Sequence, residues 1–232
     1  MFVNYLFDEK NKKALLYGDW DIFDGQYFEE FKREIHVIKP FEIPNDWRIY
    51  RTIDYGLDCF AVLWIAVNSI GECYVFREYN RPNMIISEGC KEVKAMSKEN
   101  AYCTYAPPDL WSRSQESGRC RADIFRESGL HLIKSNNDRV AGWLCIKELL
   151  KCNPQPRLKI FSTCTNLIKH LSSIQHDEIN PNDCASHPHN ITHLPDALRY
   201  FAVQHNKIPK QNNFIKTSSF EGDDLIKFLR RN

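Results

Sequence analysis

Residues 47–56 read WRIYRTIDYG, and this stretch decides how the chain is expected to fold. Apolar and β-branched residues dominate positions 47–54, which is typical of a strand. Two similar runs follow at 59–67 and 72–79, with the turn Asn68-Ser69-Ile70-Gly71 between them. Strand-like runs separated by short turns predict an antiparallel meander of three strands. Asp54 ends the first strand, where a carboxylate is costly to bury unless it meets a cation.

The remainder of the chain alternates between helical and strand-like patterns. Gly129 is a predicted helix C-cap, and Asn137 or Asp138 a predicted N-cap. Helices are predicted over residues 87–99, 121–128, 137–150, 164–174 and 194–205, and strands over 102–106, 132–134 and 157–161. Strands that alternate with helices after a meander predict an α/β sheet with the meander at one edge. The polar tail after Lys207 is expected to be loose.

The composition of the 232 residues is that of a globular protein, with 43% hydrophobic and 26% charged residues. No apolar run approaches the ~20 residues of a membrane span, and the first residues lack signal-peptide features. A cytoplasmic location is therefore expected. The nine cysteines lack paired spacing, which favours reduced thiols. A net charge of +1 excludes a polycation, so a nucleic-acid partner would need a local basic face.

Three aspartates and one histidine stand at the ends of predicted elements: Asp54, Asp109, His193 and Asp196. Mg²⁺ and Mn²⁺ prefer hard oxygen ligands of this type. Two such ions, roughly 4 Å apart, promote in-line attack of water on a phosphodiester. His193 and Asp196 are three positions apart, which places them on one face of a helix. The order Asp…Asp…His-x-x-Asp favours a divalent-metal site.

Taken singly, each of these residues also has a purely structural explanation. Asp54 could form a turn before Gly56, and Asp109 could cap a helix. Asp196 follows Pro195, as expected in the first turn of a helix, where a carboxylate complements the helix dipole. Asp123 and Asp138 compete with Asp109 as second ligand, but both lie where helices begin or run.

A second cluster comprises Cys184, His187, His189 and His193, within ten positions. Cysteine and histidine are zinc ligands, so a zinc site is one interpretation. The paired spacing of structural zinc modules is missing, and a proline-rich loop beside an active site is the alternative.

Basic residues near the second aspartate favour contacts with a phosphate backbone. They are Arg113, Arg119, Arg121 and, further along, Arg139. A solvated helix face is the structural alternative. The chain has no Gly-x-x-x-x-Gly-Lys-Ser/Thr motif, so ATP hydrolysis by this chain alone is not expected.

Five stretches resemble the C-terminal part of the terminase large subunits of tailed phages and prophages. They are LYGDWDIF (16–23), IDYG (53–56), YAPPDLW (105–111), NDRVAGW (137–143) and HLPDALRY (193–200). The last stretch is the most specific. The resemblance implies an RNase H-like fold with a mixed central sheet flanked by helices. It also implies a metal-dependent endonuclease that cuts concatemers of double-stranded viral DNA during packaging.

By this resemblance Asp54 is the first metal ligand, and His193 with Asp196 forms the last acidic motif. The second carboxylate of the family usually follows its strand directly, whereas Pro107 and Pro108 separate Asp109 from the strand here. Asp54, Asp109 and Asp196 would hold one or two Mg²⁺ or Mn²⁺ ions. His193 would position a ligand or a water molecule rather than act as a free base.

The resemblance also implies a domain order and a set of partners. Residues 1–46 would be a linker and remnant of the terminase ATPase region, 47–207 the nuclease domain, and 208–232 a polar tail. Double-stranded DNA, a portal protein and a small terminase subunit are the implied partners. Two alternatives remain: an inactive module that binds other packaging proteins, or another RNase H-like nuclease such as a junction resolvase.

Overall fold

A computed structural model describes residues 25–56 and 58–205 and contains one mixed sheet. The strands are β1 (Val37–Ile38), β2 (Arg48–Tyr55), β3 (Phe60–Val67), β4 (Cys73–Arg81), β5 (Cys103–Ala106), β6 (Ile133–Lys134) and β7 (Leu158–Phe161). Their order across the sheet is β1-β7-β4-β3-β2-β5-β6. The three long strands of the meander therefore form its centre rather than its edge.

Helices flank this sheet and connect its outer strands. They are α1 (Arg33–His36), α2 (Ile86–Met96), α3 (Arg121–Glu127), α4 (Arg139–Leu150), α5 (Thr165–Ser173) and α6 (His193–His205). Two short 3₁₀ helices cover Pro108–Trp111 and His189–Ile191. Helix α6 packs against β2 and β3 on one side and against α4 and α5 on the other. None of the described helices is long and apolar enough to cross a membrane.

Strand β3 forms the core of the sheet. All eight of its residues are buried, which matches its unbroken apolar sequence FAVLWIAV. It pairs antiparallel with β2, from Arg48 opposite Val67 to Tyr55 opposite Phe60, and antiparallel with β4. On the other edge of β2, strand β5 runs parallel, and β6 runs parallel to β5.

The predicted elements agree with the structure to within a few residues at their ends. Helix α3 is followed by Gly129 with a positive φ of 84°, as expected for a helix C-cap. Of the two candidate caps of α4, Asp138 is the N-cap, and its side chain accepts a hydrogen bond from the Ala141 amide. The meander lies in the middle because β5 and β6 extend one side of the sheet and β7 and β1 the other.

Residues 25–46 pack against this domain. Tyr27 and Phe28 are buried, and β1 pairs in parallel with β7. The described part of the predicted linker therefore contributes both to the core and to one edge of the sheet. The stretch at 16–23 and the predicted tail at 208–232 lie outside the described residues.

Candidate active site

Asp54 lies near the carboxyl end of β2, where the strand faces the first turn of α6. Its Oδ2 atom is 2.7 Å from Nδ1 of His193, and its Oδ1 accepts a hydrogen bond of 3.3 Å from the Tyr200 hydroxyl. The Asp54 side chain is 16% exposed. Two side chains that lie 139 and 146 positions further along the chain therefore fix both carboxylate oxygens.

His193 is the first residue of α6 and is almost completely buried. Its Nε2 atom is 2.9 Å from Asp58 Oδ2, so each ring nitrogen faces a carboxylate. Burial, the largest single influence, lowers the pKa of His193, but the hydrogen bonds and charges of Asp54 and Asp58 outweigh it. The result is a pKa raised to about 9. Carboxylates accept two hydrogen bonds from the doubly protonated ring.

Asp196 lies one turn further along α6 and has different partners. Its Oδ1 accepts a hydrogen bond of 2.9 Å from Arg199 Nε and forms an ion pair with Arg199 Nη2 at 2.7 Å. Arg139 Nη1 is 3.5 Å from the same oxygen. Burial and the charge of Asp54 raise the pKa of Asp196, while Arg199 and Arg139 act in the opposite direction.

Arg199 is enclosed by aromatic rings and by a glycine. Its guanidinium lies 5.0 Å from the centre of the Trp143 ring and 4.6 Å from that of Tyr200. A Cβ atom at Gly142 would lie 2.3 Å from Arg199 Cγ, so the glycine makes room for the arginine stem. The stretches NDRVAGW and HLPDALRY thus meet in space, with Asn137 Oδ1 accepting from Arg199 Nη2 at 3.3 Å.

Tyr200 connects the three predicted aspartates electrostatically. Burial is the main cause of its raised pKa, and the negative charges of Asp54, Asp196 and Asp109 raise it further. The hydrogen bond from Tyr200 to Asp54 joins β2 to α6, the helix that carries Asp196.

Asp109 is the most exposed of the three aspartates. It lies inside the 3₁₀ helix Pro108–Trp111, whose N-cap is Pro107, and no side chain caps that helix. The capping role considered for Asp109 is therefore not found. Its Oδ2 atom forms an ion pair of 3.0 Å with Arg121, and its side chain is 52% exposed.

Solved structures of phage proteins match this architecture. The P22 large terminase nuclease domain is 17% identical, with a TM-score of 0.66 over 79% of this chain and 93% of that one. The large terminase of a thermophilic bacteriophage, in complex with ATP-γ-S, is 20% identical, with a TM-score of 0.62. The match spans 77% of this chain and 45% of that large terminase. The large terminase nuclease of thermophilic phage G20c with bound magnesium has a TM-score of 0.55 at 10% identity, over 80% of this chain and 99% of that one.

This chain has the fold of a large terminase nuclease domain. The expected RNase H-like α/β fold is thereby confirmed. No protein-family model matches the chain, and no curated protein matches its sequence. This chain covers less than half of the large terminase that was solved with ATP-γ-S.

The structure brings together a different set of side chains from the predicted zinc cluster. Among the described residues, the side chains spaced for a metal are Asp58, His189 and His193. His189 Nδ1 is 2.6 Å from Asp58 Oδ2. His187 instead lies 3.1 Å from the Ser186 hydroxyl, and Cys184 is buried. Cys184 instead lies opposite His176, with which it forms an isolated antiparallel bridge.

Sequence reasoning placed His189 in the candidate zinc cluster but missed Asp58, Arg199 and Tyr200 as parts of the site. Asp58 lies in the turn between β2 and β3, and nothing in its local sequence distinguishes it from an ordinary turn aspartate. Arg199 and Tyr200 belong to the most specific matching stretch, HLPDALRY. The spacing within that stretch could have indicated Arg199, because residues three positions apart on a helix lie on the same face.

The four predicted DNA-binding arginines occupy two places. Arg113, Arg119 and Arg121 line an open cleft of about 470 Å³ formed by the hairpin-like loop at residues 112–121. Arg119 pairs with Glu127, and Arg121 pairs with Asp109. Arg139 lies elsewhere, between Asp183 at 3.1 Å and Asp196. The cleft is therefore the basic surface adjacent to Asp109, whereas Arg139 is a partly buried partner of Asp183 and Asp196.

Proposed function

We propose that the chain is a metal-dependent endonuclease domain that cuts double-stranded viral DNA during genome packaging. The observation that supports this best is geometric: Asp54 at the end of β2 contacts His193 and Tyr200 of α6, the helix that also carries Asp196. It occurs in a fold shared with large terminase nuclease domains, and the G20c member of that group binds magnesium. The fold alone would not distinguish an active nuclease from an inactive relative.

Asp54, Asp109 and Asp196 would hold one or two Mg²⁺ or Mn²⁺ ions. The donor chemistry fits, because all three residues offer carboxylate oxygens and the negative charges of Asp54 and Asp196 repel each other. The three residues do not form a group with all ligand atoms within 4.8 Å of one another, so an ion would have to draw the carboxylates together. A divalent cation would relieve that repulsion. When bound, such an ion supplies positive charge that stabilises the transition state of phosphodiester hydrolysis.

Neighbouring side chains would position these carboxylates. His193 and Tyr200 hold the two oxygens of Asp54 in fixed directions. Arg199 holds Asp196 through one hydrogen bond and a close ion pair, with Trp143 and Tyr200 covering its guanidinium. A rigid surrounding of this kind reduces the reorganisation needed when substrate binds. His193 is a positioning residue in this scheme, since both of its nitrogens already face carboxylates.

The substrate would lie across the cleft of residues 112–121. Arg113, Arg119 and Arg121 are exposed there, and phosphate contacts of this type are independent of base sequence. Arg139 would act on DNA only indirectly, through Asp196. A portal protein and a small terminase subunit would be partners of the larger packaging assembly, in the bacterial host cytoplasm.

Nicking of supercoiled plasmid tests this function. We expect nicking with Mn²⁺ or Mg²⁺ and none with Ca²⁺ or EDTA. Asp54→Asn and Asp196→Asn should lower the rate by orders of magnitude, since their oxygens fix the metal. Asp46→Asn, at an exposed turn before β2, is the matched control and should leave the rate unchanged.

A wild-type protein that binds Mn²⁺ but does not nick DNA would contradict the proposal. It would instead support an inactive packaging module. Cleavage of branched DNA in preference to linear duplex would support a junction resolvase.

A further inference from the structure

Beside the carboxylates proposed to hold Mg²⁺ or Mn²⁺, a second group of side chains has a different chemistry. Asp58 Oδ2 lies 2.6 Å from His189 Nδ1 and 2.9 Å from His193 Nε2. The three ligand atoms all lie within 4.8 Å of one another. We propose that Asp58, His189 and His193 form a binding site for a transition-metal ion such as Zn²⁺ or Co²⁺.

The spacing of the three atoms is close to that of a metal site. In a tetrahedral zinc site with bonds of about 2.0–2.1 Å, ligand atoms lie roughly 3.3 Å apart. The two contacts of Asp58, at 2.6 and 2.9 Å, are about 0.7 and about 0.4 Å shorter than this, so the ligands must move outward. Asp58 and His189 are both more than half exposed and can make that movement, whereas the buried His193 stays in place.

His193 is oriented as a metal ligand should be. Its Nδ1 atom faces Asp54 at 2.7 Å, which directs Nε2 towards Asp58. Metal-binding histidines commonly donate their second N–H to a carboxylate, which fixes the ring and increases its basicity. With a metal on Nε2, the neutral ring would still donate from Nδ1 to Asp54.

The backbone near Asp58 is also adapted to this arrangement. The Gly56 amide donates to the Cys59 carbonyl at 2.9 Å and closes the turn that carries Asp58. A Cβ atom at Gly56 would lie 2.4 Å from Asp58 Oδ1. A larger residue here would shift the exposed Asp58 carboxylate from its present position beside the two histidines.

The donor set selects the class of ion. Two imidazoles and one carboxylate suit zinc, cobalt and related ions, whereas magnesium prefers oxygen ligands alone. The site shares none of its three ligands with the set Asp54, Asp109 and Asp196. It meets that set only through the hydrogen bond from His193 to Asp54, so an ion here would fix the direction of the Asp54 carboxylate. This goes beyond the proposed nuclease function and does not require it.

Titration with Co²⁺ tests the site, using reduced protein without a polyhistidine tag. We expect visible d–d absorption that Zn²⁺ abolishes by competition. His189→Ala and Asp58→Asn should weaken Co²⁺ binding by at least the 10–100-fold that loss of an outer hydrogen-bond partner produces. Both residues are exposed, so both variants should fold. His187→Ala, an exposed histidine two positions away, is the matched control and should bind Co²⁺ as the wild type does.

Asp196→Asn separates this inference from the nuclease proposal. That variant should lose plasmid nicking with Mn²⁺ and keep the Co²⁺ spectrum, since Asp196 is not in the group. A spectrum that survives in both His189→Ala and Asp58→Asn would overturn the site. A thiolate-to-cobalt charge-transfer band that persists in His189→Ala and Asp58→Asn would also overturn the site, because it would show that cysteines bind the ion.

Discussion

Two aspartate–arginine pairs lie at the candidate active site, and they differ mainly in burial. Asp196 and Arg199 are 2.7 Å apart, with side chains 10% and 1% exposed. Asp109 and Arg121 are 3.0 Å apart, with side chains 52% and 44% exposed. Both aspartates are proposed metal ligands, yet one belongs to the interior and the other to the surface.

This difference predicts two different roles. Removing one partner of a buried pair leaves an uncompensated charge, which costs about 3–5 kcal/mol. An exposed pair contributes only about 0–1 kcal/mol, because water and salt screen it. The Asp196–Arg199 pair therefore determines the shape of the site. The Asp109–Arg121 pair can break at little cost, which frees Asp109 for a metal and Arg121 for a phosphate.

The largest expected effect is that of Arg199→Met. It removes the nearer of the two arginines at Asp196 and leaves Arg139 at 3.5 Å, while keeping most of the buried volume. The free energy of unfolding should therefore fall by about 3 kcal/mol, the lower end of the range for a broken buried pair. Urea denaturation measures this. Arg199→Met combined with Asp196→Asn should recover part of the loss, since no buried charge remains unpaired. If the free energy of unfolding of Arg199→Met alone lies within about 1 kcal/mol of the wild-type value, the buried pair contributes no more than an exposed one. The two pairs would then not differ as described.

The same variant sharpens the metal assignment. If Asp196 is a ligand, a divalent cation replaces the missing arginine charge. Mn²⁺ should then raise the melting temperature of Arg199→Met more than that of the wild type, since a ligand that binds only the folded state stabilises it. Equal shifts in both proteins would place the ion away from Asp196.

Gly142→Ala should have an intermediate effect. The added Cβ would lie 2.3 Å from Cγ and 2.8 Å from Cδ of Arg199, within a closely packed interior. Overpacking of this kind destabilises by about 1–3 kcal/mol. Displacement of Arg199 should also lower the nicking rate through Asp196. Leu144→Ala, at an exposed position of α4, is the control and should change neither measurement.

The comparison also shows what the sequence can predict. The strands of the meander and the caps of α3 and α4 depend on local patterns, so the sequence predicts them to within a few residues. His193 and Asp196 share a helix, as their spacing indicates. Their partners lie on other elements, however, and spacing carries no information about these. Asp58 faces His193 across 135 positions, and Gly142 meets Arg199 from another helix.

The smallest effect on stability, and the clearest on binding, is expected for Arg121→Ala. The exposed pair with Asp109 is worth about 0–1 kcal/mol, so the free energy of unfolding should hardly change. Binding to duplex DNA should weaken equally for all sequences, because Arg121 would bind phosphate rather than bases. The slope of log K against log [salt] should become shallower by about 0.9 for each phosphate that the variant no longer neutralises. Lys39→Ala, at the opposite edge of the sheet, is the matched removal of one positive charge and should leave both affinity and slope unchanged. Weaker binding to one DNA sequence alone, or equally weakened binding with Lys39→Ala, would show that the cleft at residues 112–121 is not the DNA-binding surface.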